Sequence, residues 1–151
     1  MFKTVDIKIK RLSNNKDLPL PEYASNGSSG MDVRACIERP LTLHPGDIRR
    51  IPTGFALSIP KGYEAQVRPR SGLALNHGIG MVNSPGTIDS DYRGELSIVL
   101  INWGDKPVNI KRGERIGQIV ITEVLHAEFF EVEYLDETDR GEGGFGHTGV
   151  E

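Results

Sequence analysis

Between Pro85 and Glu95 the chain reads PGTIDSDYRGE, which packs three acids, a Tyr, an Arg and two Gly into eleven residues. Pro85-Gly86 and Arg93-Gly94 are turn signals, so the spacing predicts a tight hairpin with Asp89 near its tip. A carboxylate fixed on a turn beside an aromatic ring can act as a general base toward a flat ligand. Read alone, Asp89 and Asp91 are equally at home as ordinary turn acids.

Four further segments carry groups suited to anion chemistry. RPRSGLA, from Arg68 to Ala74, offers a planar cation at Arg70, a hydroxyl at Ser71 and an approachable backbone at Gly72. If Ser71 opens a short helix, the helix terminus adds a field that favours anions; the plainer reading is a helix cap beside a surface Arg. GERIGQ, from Gly113 to Gln118, interrupts an apolar strand with Gln118, which needs a polar partner if buried. SNGSSGMDVRA, from Ser25 to Ala35, is a Ser/Gly loop that enters a strand with Asp32 at its start. The tail RGEGGFGHTGVE begins at Arg140 and is too Gly-rich to pack a core. Its Gly141, Gly143 and Gly146 fit GxGxxG, and a Walker-like pattern with His147 for Lys is also present. Both signatures need a helix after the loop, and the few residues that follow predict none, which argues against Rossmann and P-loop folds. Gly-rich backbone still presents N–H groups to phosphate, Arg140 can fork onto it, and Phe145 suggests a ring that stacks on a planar ligand.

The elements that must position these groups are short. Gly (18) and Pro (9) make about 18% of 151 residues, above the usual ~12%, and they cut the chain into pieces that alternate with period two. Val5, Ile7 and Ile9 alternate with charged residues, as do Phe130, Val132 and Tyr134; 98–103 and 116–125 are rich in β-branched residues. The Gly/Pro-free stretch 118–140 predicts strands throughout, and helix is confined to 71–76. The expectation is an all-β fold, a jelly-roll-like barrel or sandwich of many short strands. The length suits one domain over 1–139, followed by an arm over 140–151.

Composition excludes several classes. Net charge is −3 with 26% charged residues, so no basic field tracks nucleic acid. Cys36 is the single Cys, which rules out an intrachain disulfide and fits a reducing compartment. His44, His77, His126 and His147 are scattered and show no zinc spacing. The N-terminus lacks an apolar leader and no run approaches membrane-spanning length, so a soluble cytoplasmic protein is expected.

Taken in order, GMDVRA, RPRSGLA, GTIDSDYRGE, GERIGQ and RGEGGFGHTG resemble the five motifs of the trimeric dUTPases, deoxyuridine 5′-triphosphate nucleotidohydrolases. PTGFAL (52–57) and the Asn83-x-Pro85-Gly86 approach agree, and the resemblance spans nearly the whole chain. Met31, Val33 and Gly117 depart from the commoner Leu, Leu and Ala, none of which has a chemical role. Ser97 stands where relatives often carry Met or Lys.

The resemblance implies a jelly-roll-like protomer in a homotrimer whose sites combine motifs from more than one subunit. It implies hydrolysis of dUTP to dUMP and pyrophosphate, with Mg²⁺ on the triphosphate, limiting uracil in DNA and supplying dUMP for thymidylate. Asp89 would be the general base. Arg70, Ser71 and Gly72 would bind phosphates, with Ser71 stabilising developing charge, and Gln118 would hold a phosphate oxygen or the water. Asn83 and the backbone of Gly86, Thr87, Ile88 and Asp89 would read uracil, near Ser97, with Tyr92 beneath the deoxyribose. Arg140, Gly146 and Thr148 would grip the distal phosphates and Phe145 would stack on uracil. No direct protein ligand to the metal is expected; Asp32 is either a turn or channel acid or a water-mediated partner of Mg²⁺.

A dCTP deaminase would share the fold, but its catalytic Glu position falls at Val99. A zinc deaminase is excluded by the absence of HxE and CxxC. A non-catalytic nucleotide-binding module remains the alternative from another class, against which the retention of Asp89 with the phosphate residues argues.

Overall fold

Period-two alternation buries Leu96, Ile98 and Leu100 on one face of the strand Glu95–Asn102 and leaves Glu95, Ser97 and Val99 half-buried on the other. The same rule operates along the chain in a computed structural model that describes residues 3–146. The elements are β1 (Lys8–Arg11), β2 (Met31–Arg34), β3 (Leu41–Leu43), β4 (Ile48–Ser58), β5 (Tyr63–Arg68), α1 (Ser71–His77), β6 (Ile79–Met81), β7 (Gly86–Ile88), β8 (Glu95–Asn102), β9 (Val108–Ile110) and β10 (Arg115–Glu123).

Two four-stranded antiparallel sheets, ordered β1-β4-β8-β6 and β2-β10-β5-β7, are accompanied by the separate two-stranded pair β3-β9. Their inner faces form one core: Ile51, Ile98 and Leu100 from the first sheet meet Val33, Ala65, Val67 and Ile119 from the second. The fold is all-β and jelly-roll-like, with α1 as its single helix among the described residues. No helix there is long and apolar enough to cross a membrane.

Two polar residues buried in this apolar structure tie loops to strands. Asn102 donates to the carbonyls of Leu43 (2.9 Å) and Lys106 (2.8 Å) and accepts from the Gly104 amide (2.9 Å), so its carboxamide is fully used. Asn15 accepts from the Leu18 amide (3.0 Å) and donates to the Thr53 carbonyl (3.2 Å). It sits against Gly54, whose φ of 73° marks the irregularity in the β4–β8 register between Pro52 and Ala56. A Cβ at Gly54 would approach the Cys36 sulfur to 2.8 Å, so both the angle and the space require Gly in PTGFAL.

Three expectations fail in instructive ways. The segment around Asp89 is not a hairpin. β7 pairs with β5 in the second sheet, whereas β8 pairs with β4 and β6 in the first, so the residues between them cross from one sheet to the other. Pro85-Gly86 marks the turn into β7, not one end of a two-stranded ribbon. The strands expected over 118–140 stop at Glu123. Leu125, Phe129, Phe130, Tyr134 and Leu135 are all largely exposed. Their alternation suits a strand, but a strand needs a hydrogen-bonding neighbour, and these residues have none among the described residues. At the other end, β1 begins at Lys8, so Val5 and Ile7 precede the ladder.

Candidate active site

The crossing segment places Asp89 by local means. The Tyr92 amide donates to the Asp89 carbonyl (3.2 Å), closing a turn that leaves the Asp89 side chain exposed. The Tyr92 hydroxyl donates to the Glu95 carbonyl (3.1 Å), which fixes the ring over the start of β8. Gly94 makes this possible, because a Cβ there would overlap the Tyr92 phenol. Glu95 is turned aside: its Oε1 accepts from the Gly54 amide (2.8 Å) and Asn14 (3.3 Å). Asp89 has no hydrogen bond or ion pair to its carboxylate among the described residues, which leaves it open to a ligand.

These residues line a cavity of about 220 Å³ whose walls are Thr87, Ile88, Asp89, Tyr92, Glu95, Ser97, Val99 and Arg50. The outward faces of β8 and β4 make the floor, and the end of β7 with the crossing segment makes the wall. Asn83 stands at the entrance to β7, its amide nitrogen packed against the buried Gly86 backbone. Asp89, Thr87, Ile88, Tyr92 and Ser97, expected at one nucleoside site, are thus brought together.

The anion-binding residues occupy a different part of the surface. Arg70 borders a second cavity of about 390 Å³ with Leu73, His77, Asn109, Glu114 and Arg115. Ser71 is the first residue of α1, and the cap position belongs to Arg70, which makes no side-chain cap bond. The Ser71 hydroxyl is therefore not spent on capping, and Ser71 and Gly72 are both exposed. Across the second sheet, Gln118 pairs with Asp32 of β2 on one side and Arg68 of β5 on the other, so all three point outward from the same face. A register shift between Arg115 and Gly117 precedes it. Gln118 is half-buried with its carboxamide oxygen against Gly30, and its side chain makes no hydrogen bond among the described residues.

Asp32 takes a role that neither sequence reading anticipates. Its Oδ1 accepts from Arg70 Nε at 3.1 Å and its Oδ2 from Arg115 Nη1 at 3.0 Å. One carboxylate thereby couples GMDVRA, RPRSGLA and GERIGQ and aims two guanidinium groups at the same region. Arg115 lies inside a motif singled out from sequence, yet its pairing was invisible because β2 and β10 are far apart in the chain. Arg50 was missed entirely; nothing in IRRIPTG marks the second Arg as facing a cavity.

In the tail, Arg140 Nε donates to the Gly143 carbonyl (2.7 Å), Phe145 is fully exposed with a positive φ of 51°, and Gly146 also has a positive φ, 84°. The structure brings neither Arg140 nor Phe145 to either cavity within one chain. Thr148 lies outside the described residues.

The sequence and the fold both have clear relatives among known proteins. A sequence model described as dUTPase matches residues 16–149. A deoxyuridine 5′-triphosphate nucleotidohydrolase of Desulfotalea psychrophila is 59% identical over 150 residues, covering 99% of this chain and all of that protein. One from Caldanaerobacter subterraneus subsp. tengcongensis is 54% identical over 147 residues, covering 97% and 99%. Among solved structures, the Staphylococcus bacteriophage 80alpha dUTPase with dUPNHPP superposes with a TM-score of 0.85 at 28% identity, covering 97% of this chain and all of that one. Motifs, sheet topology and full-length similarity converge: the chain belongs to the dUTPase family.

Proposed function

We propose that this chain is a dUTP diphosphatase, converting dUTP and water into dUMP and pyrophosphate. The observation that carries the reading is the Asp89 carboxylate, without a partner among the described residues, on the wall of a cavity that Tyr92 closes at one end. Family membership supplies the substrate: relatives at 52–59% identity are deoxyuridine 5′-triphosphate nucleotidohydrolases. The resulting activity limits uracil in DNA and provides dUMP for thymidylate.

In this reading Asp89 accepts a proton from the water that attacks the α-phosphorus, a role worth ~10²–10⁴-fold in rate. Arg70, held by Asp32, and the free hydroxyl of Ser71 meet phosphate oxygens and stabilise charge passing to the pyrophosphate. Gly72 lets the phosphate approach the backbone, and Gln118 orients a phosphate oxygen or the water. Asn83 and the backbone from Gly86 through Thr87 and Ile88 to Asp89 read the base, with Ser97 beside it and Tyr92 beneath the sugar.

Arg70 and Asp89 border separate cavities in one chain, which supports a homotrimer whose sites are shared between subunits. Leu125, Phe129, Phe130, Tyr134 and Leu135, exposed in one chain, supply apolar surface for such an assembly. The arm 140–151 then closes over a neighbouring site, with Phe145 on uracil and Arg140, Gly146 and Thr148 on the distal phosphates.

Among the described residues no three His, Cys, Asp or Glu cluster to hold a metal ion, and Asp32 gives both oxygens to arginines. Mg²⁺ held by oxygens of the triphosphate and by water would need no carboxylate of this chain and would neutralise phosphate charge. A cytoplasmic enzyme acting on free nucleotide accords with the single reduced Cys36. Deamination is disfavoured because Val99, where that chemistry needs an acid, lines the Asp89 cavity with a side chain that moves no proton.

The test is pyrophosphate release from each deoxynucleoside triphosphate with and without EDTA. Release from dUTP alone, lost with the chelator, is expected. Ammonia release from dCTP, or binding without turnover, would contradict the proposal.

A further inference from the structure

We propose that the Asn26-Gly27 pair is a self-modifying site, at which the folded chain deamidates spontaneously and gains one negative charge in the loop ahead of β2.

The pair is the tip of a loop closed at its base. Tyr23 and Met31 form an antiparallel bridge. Within it the Ser28 amide donates to the Ser25 carbonyl (3.1 Å), which makes Asn26 and Gly27 the two central residues of a turn. The Ser25 amide donates to the Ser28 hydroxyl (3.1 Å), and the two Ser hydroxyls lie 2.9 Å apart. Asn26 and Gly27 themselves are exposed. Among the described residues, neither the Asn26 carboxamide nor the Gly27 amide makes a hydrogen bond.

The fold does not require Gly at 27. Its φ lies outside the left-handed region, and a Cβ built there would meet no atom within 4 Å. Gly30 in the same loop differs, because a Cβ there would come within 2.9 Å of Gln118 Oε1. The effect of Gly27 is therefore chemical: with no side chain beside it, its amide nitrogen is open to the carboxamide that precedes it.

The Gly27 nitrogen attacks Asn26 Cγ. The N–Cγ bond forms, the Cγ–Nδ2 bond breaks, and Nδ2 leaves as ammonia with the proton from the Gly27 amide. Water then opens the cyclic imide at one of its two C–N bonds, giving either an aspartate or an isoaspartate whose main chain runs through Cβ and Cγ. No oxidant or cofactor is needed. The new carboxylate is ionised at neutral pH, taking the net charge from −3 to −4.

The reaction is confined to this site. Of the seven Asn, Asn26 alone precedes Gly. Asn15 and Asn102 are buried, Asn14 and Asn109 are hydrogen-bonded to other side chains, and Asn76 is held in α1. The bonds that close the loop belong to Tyr23, Ser25, Ser28 and Met31, so the product keeps its attachment to β2.

The experiment holds the full-length protein for days at neutral and at mildly alkaline pH. The tryptic fragment 17–34, whose only Asn is Asn26, is followed by mass spectrometry, with isoaspartate detected by enzymatic methylation. The fragment should gain about 1 Da as NH₂ is replaced by OH. The gain should be faster at the higher pH, because the attacking nitrogen must lose its proton, and part of the product should accept a methyl group. Gly27→Ala, which the open space accommodates, should keep Tm and slow the gain at least about tenfold. A fragment unchanged in the folded protein but modified in denaturant would show that the fold protects the pair and would overturn the proposal. Reaction of Gly27→Ala at the wild-type rate would overturn it as well.

Discussion

Replacing Asp32 by Asn keeps the size of the side chain and removes the charge that holds Arg70 and Arg115. Both ion pairs are then lost. The Arg70 pair is about three-quarters buried on each side and the Arg115 side chain is 48% exposed. Hydrogen bonds to charged groups contribute ~1.5–3 kcal/mol when shielded, and exposed pairs fall below ~1 kcal/mol. Assigning about 1.5 kcal/mol to Arg70 and about 0.5 to Arg115 gives about 2 kcal/mol for the alignment of the two cations. If that alignment is expressed in phosphate binding, kcat/KM for dUTP falls about 30-fold, since 1.4 kcal/mol corresponds to tenfold. The assay is pyrophosphate release at several Mg²⁺ concentrations. An alignment role predicts a loss that added Mg²⁺ does not restore. Recovery of wild-type kcat/KM at high Mg²⁺ would show that Asp32 acts on the metal through water, and an undiminished kcat/KM would show that the arginine clamp is idle.

Three other outcomes are expected. Gly94→Ala should push Tyr92 off the Glu95 carbonyl, costing about 1 kcal/mol, and narrow the dUTP-over-UTP ratio of kcat/KM roughly fivefold; an unaltered ratio would show that the ring does not read the sugar. Truncation after Asp139 should leave an assembled protein with little activity, because no core residue is removed, and normal hydrolysis by the truncated chain would deny the arm a role. The Arg112 guanidinium, hydrogen-bonded to Asp17, holds that carboxyl below its ordinary value of 3.8. Its stabilising effect is complete above that pH and is lost as pH falls through the lowered value. Asp17→Asn should therefore lower Tm at pH 7 and match wild type at strongly acidic pH, and a Tm gap constant across the range would refute the link.

What the sequence made legible was local. The β-branched residues of 98–103 and 116–125 announce β8 and β10, although the strands themselves run over 95–102 and 115–123. Ser71 to Asn76 reads as a helix, and Gly78 with φ of 65° ends it. What failed was pairing. Whether β7 meets β8 or β5 depends on partners distant in sequence, and the turn signals around Asp89 are the same either way. Phe130, Val132 and Tyr134 alternate as a strand should, yet no strand partner for them lies among the described residues. The expectation that Asp89, Tyr92, Arg70 and Gln118 serve the site came through a resemblance that spans nearly the whole chain. Asp32's double ion pair and the approach of Arg50 were not, because each joins strands separated by dozens of residues.

The most direct test is the turnover of Asp89→Asn on dUTP, with binding measured separately on a non-hydrolysable analogue. The substitution preserves volume and polarity and removes the proton acceptor, so kcat should fall at least ~10²-fold while Kd changes little. Turnover near the wild-type rate would contradict the account, because no other carboxylate on the cavity wall is free to take the proton: Glu95 is already committed to the Gly54 amide and Asn14.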